Sequence, residues 1–184
     1  MNVTQTKIPE VLVVEPKVFD DDRGFFFEAF KADRYASHGM EGPFVQDNIS
    51  RSPFGVLRGL HLQNPRCQGK LVSVLRGRVL DVAVDVRLGS PTFGRHVAVE
   101  LSEENRRQLW VPRGFAHGFA VLSEIADFFY KCDEFYSPSN EIAVRWNDPA
   151  IGIAWGLDSP VLSPRDAAAP LLANVPGLPG YKEI

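Results

Sequence analysis

Polar side chains interrupt several segments that otherwise alternate like half-buried β-strands. The segment GVLRGLHLQ carries Arg58, His61 and Gln63 among its leucines. Taken alone, this segment favours a buried histidine that is hydrogen-bonded to a neighbour, because such histidines are common in protein cores. Comparable polar residues share faces of other candidate strands: Gln46, Asn48, Ser50, Lys70, His117 and Tyr130. Several strands therefore direct polar groups to one side.

Metal binding is the first chemistry to consider for histidines on a β-barrel or sandwich. Metal-dependent cupins usually carry two histidines separated by one residue, with a glutamate close behind. Here His61 is followed by Leu62 and Gln63, and the next carboxylate is Asp81. A site made from His61, His117 and a distant glutamate would lack that arrangement. The sequence therefore predicts no required metal.

The elements that carry these residues are short, evenly spaced strands. In RVLDVAVDV, Val82 and Val84 fall on one face while Asp81 and Asp85 fall on the other, which is the pattern of a half-buried strand. Other strand candidates are FVQDNIS, GVLRGLHLQ, KLVSVL, RHVAVEL, QLWVP, FAHGFAVL and ADFFYKCDEFY. The residues 75–78 resemble a hairpin connection.

Helix is predicted only in short pieces at the periphery. One piece runs from Lys31 to His38, after the strand-like GFFFEAF, and another lies around Asp166 to Ala173, where Pro170 argues against a long helix. Many short strands without intervening helices predict an all-β fold. At this length, an antiparallel double-sheet jelly roll is the expected architecture.

Composition limits the classes of function. The chain has 184 residues, which fits one domain over residues 1–184, and its formal net charge is −3. A slightly acidic chain has no global field that attracts nucleic acid. Long apolar stretches and a signal peptide are absent, so we expect a cytoplasmic protein with no membrane partner. Cys67 and Cys132 show neither metal-ligand spacing nor the density of a disulfide framework.

Seven segments, in order along the chain, carry a family resemblance: DDRGFFFEAF, FVQDNISRS, GVLRGLHLQ, QGKLVSVLRGRVLDVAVDVR, WVPRGFAHGFAVL, FFYKCDEFYSPSNE and SPRDAAAP. They resemble the dTDP-4-dehydrorhamnose 3,5-epimerase family of dTDP-L-rhamnose biosynthesis. The resemblance covers nearly the whole chain, and it is specific because the RGLH, PRGFAHGF and YKxxxxYxP strings occur at consistent separations. It implies a cupin-type jelly roll, a homodimer and a reaction that needs no cofactor.

The resemblance also implies a role for each catalytic residue. A ketone at C4 of the sugar acidifies the hydrogens at C3 and C5, so epimerisation needs a base, an acid on the opposite face and a group that stabilises the enolate oxygen. By resemblance, His61 is the base and Asp166 is its acidic partner. Lys70 is expected to stabilise the oxyanion, and Tyr130 to donate the proton on the opposite face. From the residues alone, Asp166 fits a helix N-cap equally well.

Substrate-binding positions follow from the same resemblance. Arg23 and Arg58 match positions associated with the diphosphate or the adjacent sugar, where guanidinium groups suit phosphate oxygens. Tyr136 matches the aromatic residue that stacks on thymine, and Phe19 is expected on the opposite face of the base from the second subunit. Further matches to substrate-contacting positions are Glu28, Gln46, Asp47, Asn48, His117, Glu141 and Arg165, the last in place of a frequent lysine.

One spacing conflicts with simple strand geometry. Arg58 and His61 are three residues apart, so strict alternation would place them on opposite faces of a strand. We expect a bulge or kink at Gly59 to turn both side chains inward.

The resemblance favours an epimerase that makes dTDP-4-dehydro-L-rhamnose from dTDP-4-dehydro-6-deoxy-D-glucose. An enzyme that inverts only C3 or only C5 of a related dTDP-4-keto-deoxysugar would use the same His61 and Tyr130. A non-catalytic jelly roll that binds sugar nucleotides is disfavoured by the presence of His61, Lys70, Tyr130 and Asp166 together. A metal-dependent cupin oxygenase is disfavoured by the missing ligand pattern.

Overall fold

The computed structural model describes all the residues, Met1–Ile184. Its strands are β1 (Asn2–Gln5), β2 (Leu12–Glu15), β3 (Val18–Asp21), β4 (Gly24–Phe27), β5 (Gln46–Pro53), β6 (Leu57–Gln63), β7 (Lys70–Arg76), β8 (Arg78–Asp85), β9 (His96–Ser102), β10 (Gln108–Val111), β11 (Phe115–Val121), β12 (Ile125–Cys132) and β13 (Glu141–Ala143). The helices are α1 (Ala32–Ala36) and α2 (Pro164–Ala167), with single 3₁₀ turns at Pro138–Asn140 and Leu172–Asn174. The prediction of an all-β fold with short helices is confirmed.

Two antiparallel sheets form the body of the molecule. The six-stranded sheet has the order β1-β2-β10-β7-β12-β5, and the five-stranded sheet has the order β13-β6-β11-β8-β9. The strands β3 and β4 form a separate two-stranded sheet. This is the predicted double-sheet jelly roll. Its interior is bounded by β5, β7 and β12 on one side and by β6, β8 and β11 on the other.

Apolar side chains pack on both faces of the five-stranded sheet. Phe119 and Ala83 of this sheet pack in the sandwich interior with Phe128 of the other sheet. On the outer face, Val82 packs in a second cluster that includes Trp155 of the C-terminal segment. The prediction that β8 is half-buried is therefore wrong, because the C-terminal segment covers the face that alternation alone would leave to solvent.

The connection between β7 and β8 crosses from one sheet to the other. β7 pairs with β10 and β12, whereas β8 pairs with β9 and β11. The predicted hairpin at residues 75–78 is therefore wrong. Gly77 makes the crossing with φ of +77°, and a Cβ there would lie 2.0 Å from the carbonyl oxygen of Ile125. Only glycine fits this corner, so the same Arg-Gly-Arg sequence that suits a hairpin also suits a sheet-to-sheet corner.

Both helices overlap the predicted segments but are shorter, and the second begins two residues earlier than predicted. α1 covers five residues of the predicted Lys31–His38 segment, and Gly39 follows with φ of +82°. α2 begins at Pro164 and ends at Ala167, three residues before Pro170. None of the helices combines the length and apolar character needed to cross a membrane. The assignment of residues 1–184 to one domain stays a prediction.

Candidate active site

A β-bulge in β6 turns Arg58 and His61 to the same side. In the pairing with β11, His61 lies opposite His117 and Arg58 lies opposite Phe119, so β6 has one residue more than β11 between these two pairs. Gly59 takes up the extra residue with φ of +119°. Both Arg58 and His61 line one cavity as a result. The expectation of a kink at Gly59 is confirmed.

His61 and Asp166 form a hydrogen-bonded pair at the edge of the five-stranded sheet. The His61 Nε2 atom lies 2.5 Å from Asp166 Oδ1, and Asp166 is only 3% exposed. Ser163, rather than Asp166, is the N-cap of α2, since its Oγ accepts the backbone N–H of Asp166 at 3.1 Å. The short helix therefore holds the carboxylate against the imidazole.

The charge of Asp166 is maintained despite its burial. Burial by itself raises the pKa of this carboxyl, but hydrogen bonds with His61, Ser163 and the backbone N–H of Gly59 outweigh the burial and hold the pKa below its ordinary value. An ionised carboxylate only accepts hydrogen bonds, so His61 must donate through Nε2. In a neutral imidazole held in this way, Nδ1 is the nitrogen that carries the lone pair.

Lys70 and Tyr130 approach from the six-stranded sheet. They lie on the adjacent strands β7 and β12, where Lys70 is opposite Cys132 and Tyr130 is opposite Val72. The Lys70 ammonium makes no ion pair, and its burial lowers its pKa, although Cys132, Glu141 and Asp81 nearby act in the opposite direction. Burial also raises the pKa of the Tyr130 hydroxyl, which therefore keeps its proton at neutral pH.

Two adjoining cavities meet at these residues. The first, which we call the Ser50 cavity, has a volume of about 430 Å³ and is lined by Ser50, Val56, Leu57, Arg58, His61, Lys70, His117, Gly118, Phe119, Phe128, Tyr130, Val161, Leu162, Ser163 and Asp166. The second, the Tyr136 cavity, has a volume of about 310 Å³ and is lined by Gln46, Asn48, His61, Leu62, Gln63, Gln68, Lys70, Tyr130, Cys132, Tyr136 and Glu141. His61, Lys70 and Tyr130 line both. The cavities therefore form one cleft, with His61 on one sheet and Lys70 and Tyr130 on the other.

Glu141 connects three predicted site residues in the Tyr136 cavity. Its carboxylate accepts the Tyr136 hydroxyl at 2.9 Å and pairs with the Arg165 guanidinium. Its other oxygen lies 3.8 Å from Nδ1 of His61. Tyr136 and Arg165 are thus held next to the proposed base by a shared carboxylate.

His117 sits in the floor of the Ser50 cavity and is tied to a buried acid. Its Nε2 atom lies 3.0 Å from both carboxylate oxygens of Asp81, which is fully buried. The ring stacks against Phe128 with centroids 6.0 Å apart. The sequence pattern placed Asp81 on a strand face without indicating that this face lies inside the sandwich.

Five predicted binding residues do not line the cleft of this chain, and one of them, Arg165, is connected to it through its ion pair with Glu141. Asp47 points to the outer face of β5, where it accepts hydrogen bonds from Lys131 at 2.8 Å, because alternation directs its neighbours Gln46 and Asn48 inward. The assignment of Asp47 to substrate binding stays a prediction. Phe19, Arg23 and Glu28 lie on or directly after the β3–β4 sheet.

The three residues of that hairpin region make other contacts within the chain. Arg23 pairs with Asp21 at 2.5 Å, and Glu28 pairs with Arg34 at 2.9 Å. Phe19 is 54% exposed. In a single chain these side chains are not part of the cleft.

Some residues of the cleft were not assigned to it from the sequence. Ser163 carries a recognisable signal, a serine three residues before an acid at a helix start. Ser50 was visible on the polar face of β5 but was given no role. Cys132 lines the Tyr136 cavity, and burial raises the pKa of its thiol to about 11. It is therefore a protonated packing residue rather than a nucleophile.

Comparison with known proteins identifies the family of this chain. The family model for dTDP-4-dehydrorhamnose 3,5-epimerase matches residues 5–174. The chain is 57% identical over 175 residues to the dTDP-4-dehydrorhamnose 3,5-epimerase of Salmonella typhimurium, covering 94% of this chain and 96% of the relative. Over 181 residues it is 51% identical to the Pseudomonas aeruginosa enzyme of the same name, covering 97% of this chain and 100% of that one.

A solved structure extends the similarity to three dimensions. The dTDP-6-deoxy-D-glucose-3,5-epimerase of Legionella pneumophila, in complex with dTDP-4-keto-L-rhamnose, superimposes with a TM-score of 0.96 and 55% identity over 98% of both chains. The matching family model and these relatives show that the chain belongs to the dTDP-4-dehydrorhamnose 3,5-epimerase family.

Proposed function

We propose that the protein inverts C3 and C5 of dTDP-4-dehydro-6-deoxy-D-glucose to give dTDP-4-dehydro-L-rhamnose. The observation that carries this proposal is the arrangement of acid and base across one cleft. His61, hydrogen-bonded to Asp166 of α2, lies on the five-stranded sheet, and Tyr130 and Lys70 lie on the six-stranded sheet. A sugar ring between the sheets has a base on one face and a proton donor on the opposite face.

The first step removes a proton from carbon. His61 takes the C3 proton on Nδ1, while Asp166 holds the ring through Nε2 and stabilises the imidazolium that forms. The electron pair of the C–H bond moves into the C3–C4 bond, and the C4 carbonyl becomes an enolate. The general base contributes about 10²–10⁴-fold to the rate of such a step.

Lys70 stabilises the negative charge that develops on the C4 oxygen. Lys70 lies in the wall shared by both cavities, is half-buried, and has no carboxylate partner. An unpaired cation in a site of low dielectric constant interacts more strongly with an oxyanion than the same cation would in water. Lys70 therefore supplies the electrostatic stabilisation of the enolate.

Tyr130 completes the inversion. Its hydroxyl gives a proton to C3 on the face opposite His61, and the C4 ketone is restored. The raised pKa of Tyr130 keeps the donor protonated, and an enolate carbon is basic enough to accept from a phenol. The same sequence at C5 gives the second inversion. The phenolate and imidazolium exchange protons with water, so no redox partner is required.

Nucleotide binding is assigned to the Tyr136 cavity. The Tyr136 ring is 49% exposed and is available to stack on thymine. Arg165 lies beside it and offers a guanidinium to the diphosphate. Gln46 and Asn48 line the same cavity and are hydrogen-bonded to each other at 3.0 Å. The sugar then lies between His61 and Tyr130.

Solvent exchange tests the proposed reaction directly. In D₂O, we expect the wild-type protein to introduce deuterium at both C3 and C5 of dTDP-4-dehydro-6-deoxy-D-glucose, measured by NMR. Uptake at one carbon alone would identify a mono-epimerase. No uptake at either carbon would contradict catalysis and favour a binding module.

The same assay with a chelator tests whether Lys70, rather than a metal ion, stabilises the enolate oxygen. No three His, Cys, Asp or Glu side chains cluster as a metal site would require. We therefore expect the exchange rates to be the same with and without EDTA. Activity lost on chelation and regained with one divalent ion would overturn the cofactor-free mechanism.

We also propose that the protein acts as a homodimer whose partner chain completes the cleft. Phe25 and Phe26 on β4 are 58% and 69% exposed, which is unusual for large apolar side chains on a strand. The β3–β4 sheet stands apart from the two main sheets, so its edges are free to pair. The partner subunit's Phe19 and the partner subunit's Arg23 would reach the thymine and the diphosphate beside Tyr136.

Substitution on the hairpin tests this coupling. We expect Phe26→Glu to convert the dimer to a monomer in light scattering and to weaken dTDP binding at least about tenfold, because a buried charge opposes pairing. Phe93→Glu is the matched control, since Phe93 is 40% exposed but lies far along the chain from the hairpin. A wild-type monomer at all concentrations that still binds dTDP tightly would contradict the shared site.

A further inference from the structure

The Ser50 hydroxyl is a buried polar group without a partner in the protein. Of the buried side-chain nitrogen and oxygen atoms that make no hydrogen bond, only Ser50 Oγ belongs to a residue that lines the cleft. Ser50 lies on β5 directly opposite Phe128 of β12, whose ring offers no conventional hydrogen-bonding atom. The hydroxyl therefore has hydrogen-bonding capacity that nothing in the protein uses, and its residue lines the wall of the Ser50 cavity.

The next serine on the same face of β5 is different. Ser52 is 2% exposed, and its Oγ accepts a hydrogen bond from Arg58 Nε at 3.1 Å. The Arg58 guanidinium thus gives the Ser52 hydroxyl a hydrogen-bond partner, whereas the Ser50 hydroxyl has none. An unsatisfied buried hydroxyl destabilises a fold, whereas an alanine of nearly the same size does not. The serine at position 50 is explained if a ligand supplies the missing partner.

The shape of the cleft indicates which part of the substrate reaches Ser50. Tyr136 lines only one cavity and Ser50 lines only the other, while Lys70 lines both. The nucleotide is attached to C1 of the sugar. With the nucleotide at Tyr136, the C3–C4 edge of the ring, which is remote from C1, is directed towards Ser50.

The two oxygen atoms on the C3–C4 edge, the C4 carbonyl oxygen and the C3 hydroxyl, require different partners. Lys70 is matched to the C4 oxygen, because the negative charge develops there. The C3 hydroxyl is the remaining polar group on the C3–C4 edge, and it can both donate to and accept from a serine. Val161 and Leu162 supply an apolar part of the wall, which suits the C6 methyl group.

We propose that Ser50 is a specificity-determining residue that hydrogen-bonds to the C3 hydroxyl of the 4-keto sugar before C3 is inverted. The proposal rests on the proposed function and adds the group that distinguishes substrates with a C3 hydroxyl from those without one. A polar group built to meet a substrate hydroxyl discriminates strongly against the analogue that lacks it.

A variant and an analogue together test the contact. Wild-type protein and Ser50→Ala are compared with dTDP-4-dehydro-6-deoxy-D-glucose and with its 3-deoxy analogue, and deuterium uptake is followed at C5, which both compounds possess. We expect Ser50→Ala to lose about tenfold in kcat/KM with the natural sugar and roughly nothing with the analogue, because one hydrogen bond is at stake. An equal loss with both compounds, or no loss with either, would overturn the proposal.

Thermal unfolding distinguishes this role from a structural one. Ser102 is the matched control: it is 4% exposed, and its Oγ accepts the backbone N–H of Asn105 at 3.1 Å. We expect Ser102→Ala to lower Tm without changing the kinetics, and Ser50→Ala to leave Tm unchanged or higher while losing activity. A fall in Tm for Ser50→Ala with unchanged kinetics would overturn the proposal.

The result with wild-type protein distinguishes failure of the proposed function from failure of the role of Ser50. If wild-type protein exchanges no deuterium into the natural sugar, the proposed function itself fails. If wild-type protein exchanges at C5 and Ser50→Ala matches it, only the role of Ser50 fails.

Discussion

Replacing His61 with alanine is expected to reduce deuterium uptake at C3 and at C5 together, by about 10²–10⁴-fold. His61 has its Nε2 held by Asp166 at 2.5 Å, whereas His117, the other imidazole on this side of the cleft, is hydrogen-bonded to Asp81, so we expect Nδ1 of His61 to serve both carbons. The measurement is NMR of the 4-keto sugar in D₂O, with circular dichroism to verify the fold. Loss at one carbon only would contradict a shared base.

Two further variants distinguish the loss of the base from a loss of folding. His61→Ala leaves the buried Asp166 carboxylate without its main partner, which itself destabilises the protein. His61→Gln keeps an N–H donor for Asp166 but has no basic nitrogen, and we expect the same loss of exchange. His38→Ala, at an exposed position after α1, is expected to behave as wild type. Exchange near the wild-type rate in folded His61→Gln would exclude His61 as the base.

The strands of this fold are predictable because each is a local pattern. Alternation in KLVSVL and FAHGFAVL marks β7 and β11 closely, since a strand needs only the residues within it to show its period. Which sheet a strand joins is not local information. Gly77 lies between β7 and β8, and only the pairing with distant strands shows that it turns a corner between sheets. The predicted hairpin failed for that reason.

Burial by remote segments is equally hidden from the local pattern. Asp81 alternates with valines as a solvent-facing residue would, yet its face points into the sandwich and pairs with His117. The valine face is covered by Trp155 and other residues of the C-terminal segment. Acidic residues on a second buried face give the same alternation of polar and apolar residues as a solvent-exposed face would. The sequence of β8 alone therefore does not show that both of its faces are buried.

The sequence indicates which residue types form the site, but it indicates only in part which residues come together in space. His61 and Asp166 are separated by 105 positions, so spacing alone does not bring them together, and the family resemblance carried that expectation. Strand alternation directs the side chains of Asp47 and Asn48 to opposite faces of β5, so only Asn48 lines the cleft of this chain. The resemblance carries a position over without the direction of its side chain, and the substrate contact of Asp47 stays a prediction.

Tyr130→Phe is expected to separate proton exchange from inversion. The substitution removes only the hydroxyl, and the ring keeps its packing on Phe128 with centroids 5.9 Å apart. A proton taken by His61 still exchanges with solvent and returns to the same face of the sugar. We therefore expect deuterium uptake with retained configuration, while formation of the L-rhamno product falls by about 10²–10⁴-fold.

The informative quantity in this experiment is the ratio of the deuterium-exchange rate to the rate of inversion. Both are measured by NMR on one sample, from deuterium at C3 and C5 and from the coupling constants of the product ring. Tyr181→Phe is the matched control, because Tyr181 loses the same hydroxyl while its ring contacts Arg87 outside the cleft. A general loss of stability would lower both rates alike. Equal and small losses in Tyr130→Phe would therefore mean that Tyr130 only packs, and that another group protonates the face opposite His61.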